Sequence, residues 1–220
     1  IRNKEHCREC IRAKYGYNDY FIETWNKNMY NILKKVNKLF TPSESSKKIF
    51  QEYYMELYNE QLLDIEVVEH GVDKGLVKEN IVHLKKDKFK IAFIGGLSLN
   101  KGSGIIHSLI TSNKNKNIEW HLFGNIGDQR LNLLERIDVV KHGRYNRDDI
   151  AKILNDNCIN LICIFSIWPE TYSYTLSEAI NSRIPILVTE IGALGERIKK
   201  YDIGWTVPYN DDKRDILENI

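Results

Sequence analysis

The chain has 220 residues, of which 42% are hydrophobic, and a formal net charge of +2. That composition excludes a disordered polymer and provides for one sizeable globular domain plus part of another. The charge is too mild for a nucleic-acid binder, and no basic strip is interleaved with aromatics. No apolar run approaches the ~20 residues that span a bilayer, and Ile1-Arg2-Asn3-Lys4-Glu5 does not open as a signal peptide, so a cytoplasmic setting is expected.

Residues 1–48 are nonetheless basic, with Lys34, Lys35, Lys47 and Lys48 among them. A solvated helix face is the first reading, and peripheral association with an anionic membrane at its inner face is the second. Cys7, Cys10, Cys158 and Cys163 are too few and too scattered for a disulfide framework, and the last two read as buried thiols. His6-Cys7-Arg8-Glu9-Cys10 has zinc-knuckle spacing but lacks the second ligand pair that a structural zinc needs, so no metal is expected there.

From Tyr17 to Lys38, the side chains Phe21, Trp25, Met29, Ile32, Leu33 and Val36 recur at three- and four-residue steps. This predicts a long amphipathic helix whose aromatic stripe enters the core. Leu39-Phe40-Thr41 reads as a strand, Pro42-Ser43 opens a helix through Ile49, Phe50, Tyr53, Tyr54 and Leu57, and Ile65–Val68 reads as another strand. His70-Gly71-Val72-Asp73 and the charged segment Lys74–Lys88 form a connection.

From Lys90 strands and helices alternate regularly. Strands are expected at Ile91–Ile94, Ile118–Phe123, Asp138–Val140, Ile159–Phe165, Ile186–Val188 and Trp205–Val207. Helices are expected from Ser103, over Arg130–Arg136, over Asp148–Asn155, after Ser173, over Leu194–Lys200 and from Asp211. The pattern predicts an α/β chain with a Rossmann-like, doubly wound parallel sheet, preceded by a partial α/β segment. Ligands of such sheets bind beyond the carboxyl ends of the strands.

One stretch at such an end carries the chemistry: Trp168-Pro169-Glu170-Thr171-Tyr172-Ser173-Tyr174-Thr175-Leu176-Ser177-Glu178-Ala179. Pro169 cannot lie in a central strand and marks its edge, while Ser173 and Thr175 are good helix N-caps. The amides of Tyr172, Ser173, Tyr174 and Thr175 are then the unsatisfied donors at the positive end of a helix, where phosphate binds. Glu170 and Glu178 flank them, and a carboxylate accepts hydrogen bonds from vicinal hydroxyls. Thr175-x-x-Glu178 is equally a capping box, in which Glu178 would serve only its own helix.

Glu170 and Glu178, spaced as E-x7-E within this stretch and followed by Pro185-Ile-Leu-Val-Thr-Glu-Ile-Gly-Ala-Leu-Gly-Glu196, resemble the signature of glycosyltransferase family 4. These are retaining enzymes with the two-domain GT-B fold. The resemblance implies that Glu170 contacts the donor sugar, that Glu178 binds the ribose of the nucleotide, and that the Tyr172–Thr175 amides hold the diphosphate. It also implies a division into residues 1–74 (end of the acceptor-side domain), 75–88 (linker) and 89–220 (donor-binding domain), the chain beginning inside the first domain.

Phe93-Ile94-Gly95-Gly96-Leu97-Ser98-Leu99-Asn100-Lys101-Gly102 matches the family's glycine loop. On the resemblance, Lys101 is the diphosphate ligand and acts in catalysis with Glu170, and the Gly95 and Gly96 backbone lies against the donor. The position of Gly96 usually holds Arg in the family, so one cation is missing unless Arg144 or Arg147 replaces it. His142-Gly143-Arg144-Tyr145 falls where the family surrounds the base, which makes Arg144 and Tyr145 candidate nucleotide contacts.

No Asp-x-Asp pair occurs in the sequence. The resemblance implies a nucleoside-diphosphate sugar as donor, and the missing Asp-x-Asp agrees with its use without a metal or other cofactor. The expected acceptor is a glycan or lipid-linked hydroxyl, in cell-surface polysaccharide or glycan synthesis, and this portion alone is expected to be inactive. The alternatives are a related sugar-nucleotide epimerase or phosphorylase, or a non-catalytic nucleotide-binding module.

Overall fold

The structure is a computed structural model that describes residues 4–18, 20–55, 59, 64–71 and 88–209. The chain divides into two compact units, one of Ile1–Thr41 with Lys47–Val68, the other of Pro42–Ser46 with Glu69–Ile220. Most of the expected linker 75–88, Val72, Asp73 and the helix expected from Asp211 lie outside the described residues.

The first unit contains α1 (Lys4–Tyr15), α2 (Phe21–Leu33), β1 (Leu39–Thr41), most of α3 (Glu44–Tyr53) and β2 (Ile65–Val67), with β1 and β2 paired in parallel. Leu33 and Ile65 form its small core, with Tyr30, Leu39, Phe50 and Tyr54 against them. The aromatic stripe of α2 departs from its expected burial. Trp25 and Ile32 are each 55% exposed, and the rings of Tyr17, Phe21 and Trp25 stack on one another along the surface. A two-stranded sheet covers only one narrow face, so Leu33 reaches the core and the aromatics bury area against each other.

The second unit is a six-stranded parallel sheet. Its strands are β3 (Phe89–Ile94), β4 (Ile118–Phe123), β5 (Val139–Gly143), β6 (Leu161–Ile164), β7 (Ile186–Thr189) and β8 (Gly204–Val207). Between them run α4 (Ser103–Ser112), α5 (Gln129–Asn132), α6 (Ile150–Asp156), α7 (Tyr174–Ser182) and α8 (Gly192–Tyr201). Helix α5 is shorter than expected because Arg136 pairs with Asp138 through two hydrogen bonds of 2.8 Å and leads directly into β5.

Alternation along the strands assigns the layers. Ile91 and Phe93 of β3, Trp120 and Leu122 of β4 and Cys163 of β6 face α4 and Leu131 of α5. Ala92 and Ile94, Ile162 and Ile164, and Ile186 and Val188 face α6, α7 and α8 through Ile150, Leu154, Leu176, Ala179, Leu194 and Ile198. Helices thus cover both faces, which is why β6 is an unbroken apolar run, whereas β4 carries Glu119 and His121 between its apolar residues. Cys163 is a buried thiol as expected, and burial holds its pKa far above the usual thiol range. Cys158 is only half-buried.

The sheet order is β5-β4-β3-β6-β7-β8. The chain builds outward from β3 in one direction and then, after β6, in the other, so the order reverses between two adjacent central strands. In open α/β sheets that reversal opens a crevice at the strands' carboxyl ends. The loops after β3 and β6 flank it.

Candidate functional site

The loop after β3 runs Gly95–Gly102 and lies against the end of β6. Gly102 has φ +79°, and a Cβ there would stand 1.8 Å from the Phe165 carbonyl oxygen. Only glycine combines that left-handed backbone with so close an approach. Ile167 N–H donates to the Asn100 carbonyl at 3.1 Å, which ties the two loops together. Lys101 and Glu170 consequently meet, with Nζ 2.9 Å from Oε1. Glu170 is 8% exposed and Lys101 37%, so the carboxylate is buried and its cation reaches solvent. Gly96, Leu97, Lys101, Phe165, Glu170 and Thr175 line one small cavity.

The backbone of Glu170 is fixed from α8. Its carbonyl accepts from Ala193 N–H at 2.9 Å. Gly192, with φ +59°, approaches so closely that a Cβ would lie 2.7 Å from Glu170 N.

The N-cap of α7 is Ser173, whose Oγ accepts from Leu176 N–H at 3.3 Å. Ser173 has φ +70° without being glycine, a conformation that costs about 1–3 kcal/mol and marks a loop held by its surroundings. The restraints are visible: Ser43 Oγ donates to Thr171 O at 2.7 Å, and Arg197 Nη1 donates to Tyr172 O at 3.1 Å and Ser173 O at 3.0 Å.

With Ser173 as the cap, Glu178 is free of the capping box. Its Oε2 accepts from the Tyr145 hydroxyl at 2.8 Å, and its Oε1 is 3.4 Å from Arg147 Nε. Burial pushes the Glu178 carboxyl above the usual carboxylate range, against the opposing pull of Tyr145 and Arg147. Burial and then the Glu178 carboxylate push the Tyr145 phenol well above its ordinary value, so it remains a donor at every working pH. The Arg147 guanidinium lies 4.7 Å from the Tyr174 ring centroid. Tyr145, Arg147, Tyr174 and Glu178 thus bring an aromatic face, a cation and a carboxylate together.

The structure therefore brings the predicted residues together in two linked sets. Lys101, Glu170, Gly96 and Thr175 form the first, and Gly95 touches it through Thr175, which an added Cβ would meet at 3.0 Å. Tyr145, Glu178 and Tyr174 form the second, with Arg147. Arg144 is exposed and makes no ion pair or hydrogen bond among the described residues, so Arg147 is the arginine that reaches the site.

Two residues escaped the sequence reading. His70 stacks on Tyr174 with ring centroids 5.4 Å apart, and its carbonyl accepts from Tyr172 Oη at 3.0 Å. Arg197 is 4% exposed on the apolar face of α8, three residues after Leu194. An arginine in an apolar helical stripe was the signal that could have found it.

Among the described residues no three His, Cys, Asp or Glu side chains are grouped to hold a metal. The side chains of His6 and Cys7, from the segment with knuckle-like spacing, lie outside the described residues. No described helix is long and apolar enough to cross a membrane.

Comparison with solved structures agrees with the fold. Sucrose-phosphate synthase from Thermosynechococcus elongatus matches with TM-score 0.66 and 15% identity over 89% of this chain and 51% of its own. The Anabaena protein Alr3699/HepE in complex with UDP-glucose matches with TM-score 0.65 and 18% identity, over 91% and 58%. A GtfA/B complex matches with TM-score 0.60 and 14% identity, over 92% and 40%. The chain thus spans about half the length of these relatives, and at such identities they establish the GT-B type of α/β fold alone. Among curated proteins no sequence matches it. Residues 76–220 match the family described as glycosyl transferases group 1, and because the match covers most of the chain, the protein belongs to that family.

Proposed function

We propose that the second unit is the donor-binding domain of a retaining glycosyltransferase that takes a nucleoside-diphosphate sugar and transfers the sugar to an acceptor hydroxyl. The observation that carries this reading is the Lys101–Glu170 pair at the reversal of sheet order, with Glu178 turned toward Tyr145 and Arg147 instead of toward its own helix end. A module that only binds or assembles has no need of a buried carboxylate facing a lysine across two loops. The Anabaena relative is in complex with UDP-glucose, which supports a donor of that class.

In this reading the bond from the anomeric carbon to the diphosphate oxygen breaks and a bond to the acceptor oxygen forms on the same face. The acceptor proton passes to the departing phosphate. The sugar becomes oxocarbenium-like while the diphosphate gains negative charge, so positive groups placed beforehand favour the transition state. Lys101 and the amides at the start of α7 are those groups, and they do the work that a metal does in Asp-x-Asp enzymes. Glu170 holds the sugar hydroxyls, and Glu178 holds the ribose with Tyr145 beside it.

The reading extends to the domain division. Residues 1–74 would be the end of an acceptor-side domain, 75–88 its link to the donor domain at 89–220, and activity would require the complementary domain. A glycan or lipid-linked acceptor at the cytoplasmic face of a membrane is the corresponding setting. Glu170→Ala should abolish transfer by the two-domain enzyme yet leave nucleotide binding within about threefold of wild type, since in this reading the sugar is the only part of the donor that the carboxylate contacts. Loss of nucleotide binding in that variant would show the assignment to be wrong.

A further inference from the structure

We infer that Arg197 is a positioning residue of the donor site, fixing from behind the orientation of the Ser173 and Tyr174 amides that receive the diphosphate. The inference rests on the donor-site reading above. Its basis is the geometry of the peptide plane. In a trans peptide the carbonyl of one residue and the N–H of the next point in opposite directions, and the described chain has no cis bond.

Arg197 Nη1 holds the carbonyls of Tyr172 and Ser173 at 3.1 and 3.0 Å, so the N–H groups of Ser173 and Tyr174 are aimed directly away from it. Ser43 separately restrains the preceding peptide by donating to the Thr171 carbonyl at 2.7 Å. Two successive amides, those of Ser173 and Tyr174, are thus turned away from the one guanidinium at the N-terminus of α7. Ser173 accepts a positive φ of 70° to make this possible.

The guanidinium is itself locked. Nη2 donates to Ser177 Oγ at 3.0 Å, and the cation lies 4.0 Å from the centroid of the Tyr172 ring. Tyr172 is in turn anchored through its hydroxyl to the His70 carbonyl at 3.0 Å. Nε is buried without an acceptor, and Arg197 makes no ion pair among the described residues. Glu69 lies close enough to feel its charge, but the Glu69 carboxylate is engaged by Lys200 and Tyr201.

A buried guanidinium without a carboxylate partner is costly to keep. Its positive charge is spent on the loop carbonyls, which polarises each peptide and makes the N–H on the far side a stronger donor. The ligand's diphosphate is the anion that this arrangement awaits. Lysine cannot reproduce it, because three donors in one plane, stacked on Tyr172, require the fork of arginine.

The test is calorimetric titration of the full chain with UDP, GDP, dTDP and ADP, repeated for Arg197→Lys with the diphosphate that binds. The corresponding nucleoside is followed by NMR in both proteins. The expected result is a loss of about tenfold or more in diphosphate affinity, with nucleoside affinity changed less than about twofold. A parallel loss of both would mean a merely structural role, and an unchanged diphosphate affinity would overturn the inference while leaving the donor-site reading standing.

Wild-type protein that binds none of the four refutes the donor-site reading and this inference with it. Should Arg197→Lys fail to fold, the wild-type amide spectrum decides. The Ser173 and Tyr174 amide protons should move downfield with the diphosphate and stay in place with the nucleoside, and amides indifferent to the diphosphate would overturn the inference.

Discussion

Gly192→Ala offers a test of how tightly the site is supported by the layer behind it. Gly192 has φ +59°, and its added Cβ would lie 2.7 Å from both Pro169 Cα and Glu170 N and 2.9 Å from Glu170 O. All three atoms are backbone, so no rotamer change relieves the clash. The left-handed conformation costs alanine roughly 1–2 kcal/mol. To regain an ordinary 3.4 Å contact, the Pro169–Glu170 segment must retreat by about 0.7 Å, and Glu170 moves with it. Strain and displacement together should lower stability by about 2–4 kcal/mol.

If Glu170 holds the donor sugar as proposed, a shift of that size should also cost about tenfold or more in transfer by the two-domain enzyme. Gly96→Ala is the matched control for stability, because its added Cβ meets nothing within 4 Å and its φ is not positive. It should stay within about 0.5 kcal/mol of wild type. Urea denaturation of both variants, followed by transfer assays, reads the two effects. If Gly192→Ala unfolds at the same midpoint as Gly96→Ala, the close approach of α8 to Glu170 does not constrain the site.

Three further outcomes follow from the geometry. Gly96→Arg places a cation into the same open space beside Lys101 and should tighten diphosphate binding by about fivefold or more; unchanged affinity in a titration would mean that Gly96 does not face the phosphates. Tyr145→Phe removes the donor to Glu178 and should weaken nucleotide binding by about threefold to tenfold, and an unaffected nucleotide would place the base and ribose elsewhere.

The third outcome concerns His121 and His142, whose facing ring nitrogens are 2.9 Å apart, with Glu119 Oε1 at 2.8 Å from the far nitrogen of His121. With Glu119 ionised, the hydrogen bonds assign the Nε2–H tautomer to both rings. Burial depresses the pKa of each below its ordinary 6.5, with neighbouring Lys90 adding to the effect. The unfolded chain therefore binds more protons than the folded one just below pH 6.5, so stability present above that pH is lost as pH falls, by up to about 1.4 kcal/mol per pH unit per histidine. Denaturation at pH 7.5 and 5.5 checks the sign, and stability that rises on acidification contradicts it.

Much of the second unit was legible because its rules are local. Ile118–Phe123 was read to the residue, and the apolar runs at β3, β6 and β7 follow from a sheet covered on both faces. The glycine loop and the two-glutamate stretch were legible as segments at the carboxyl ends of strands, and the sheet order explains why residues as distant as Lys101 and Glu170 meet.

What escaped depends on tertiary partners. Thr175-x-x-Glu178 reads as a capping box in isolation, but Ser173 takes the cap and Tyr145, from the end of another strand, claims Glu178. The stripe on α2 reads as core because periodicity reports amphipathicity, whereas burial of Trp25 needs a covering surface that the described residues do not supply. Arg197 breaks the apolar face of α8, which is visible in the sequence, but the carbonyls it serves lie more than twenty residues earlier in the chain, and no local pattern names them.

The central claim is tested most directly by calorimetric titration of this chain with UDP, GDP, dTDP and ADP in the absence of metal, repeated with Glu178→Ala. One diphosphate should bind, and the substitution should weaken it by more than about 1 kcal/mol, the worth of a hydrogen bond to a charged group. Equal binding by wild type and Glu178→Ala, or binding of none of the four, would contradict the donor-site account.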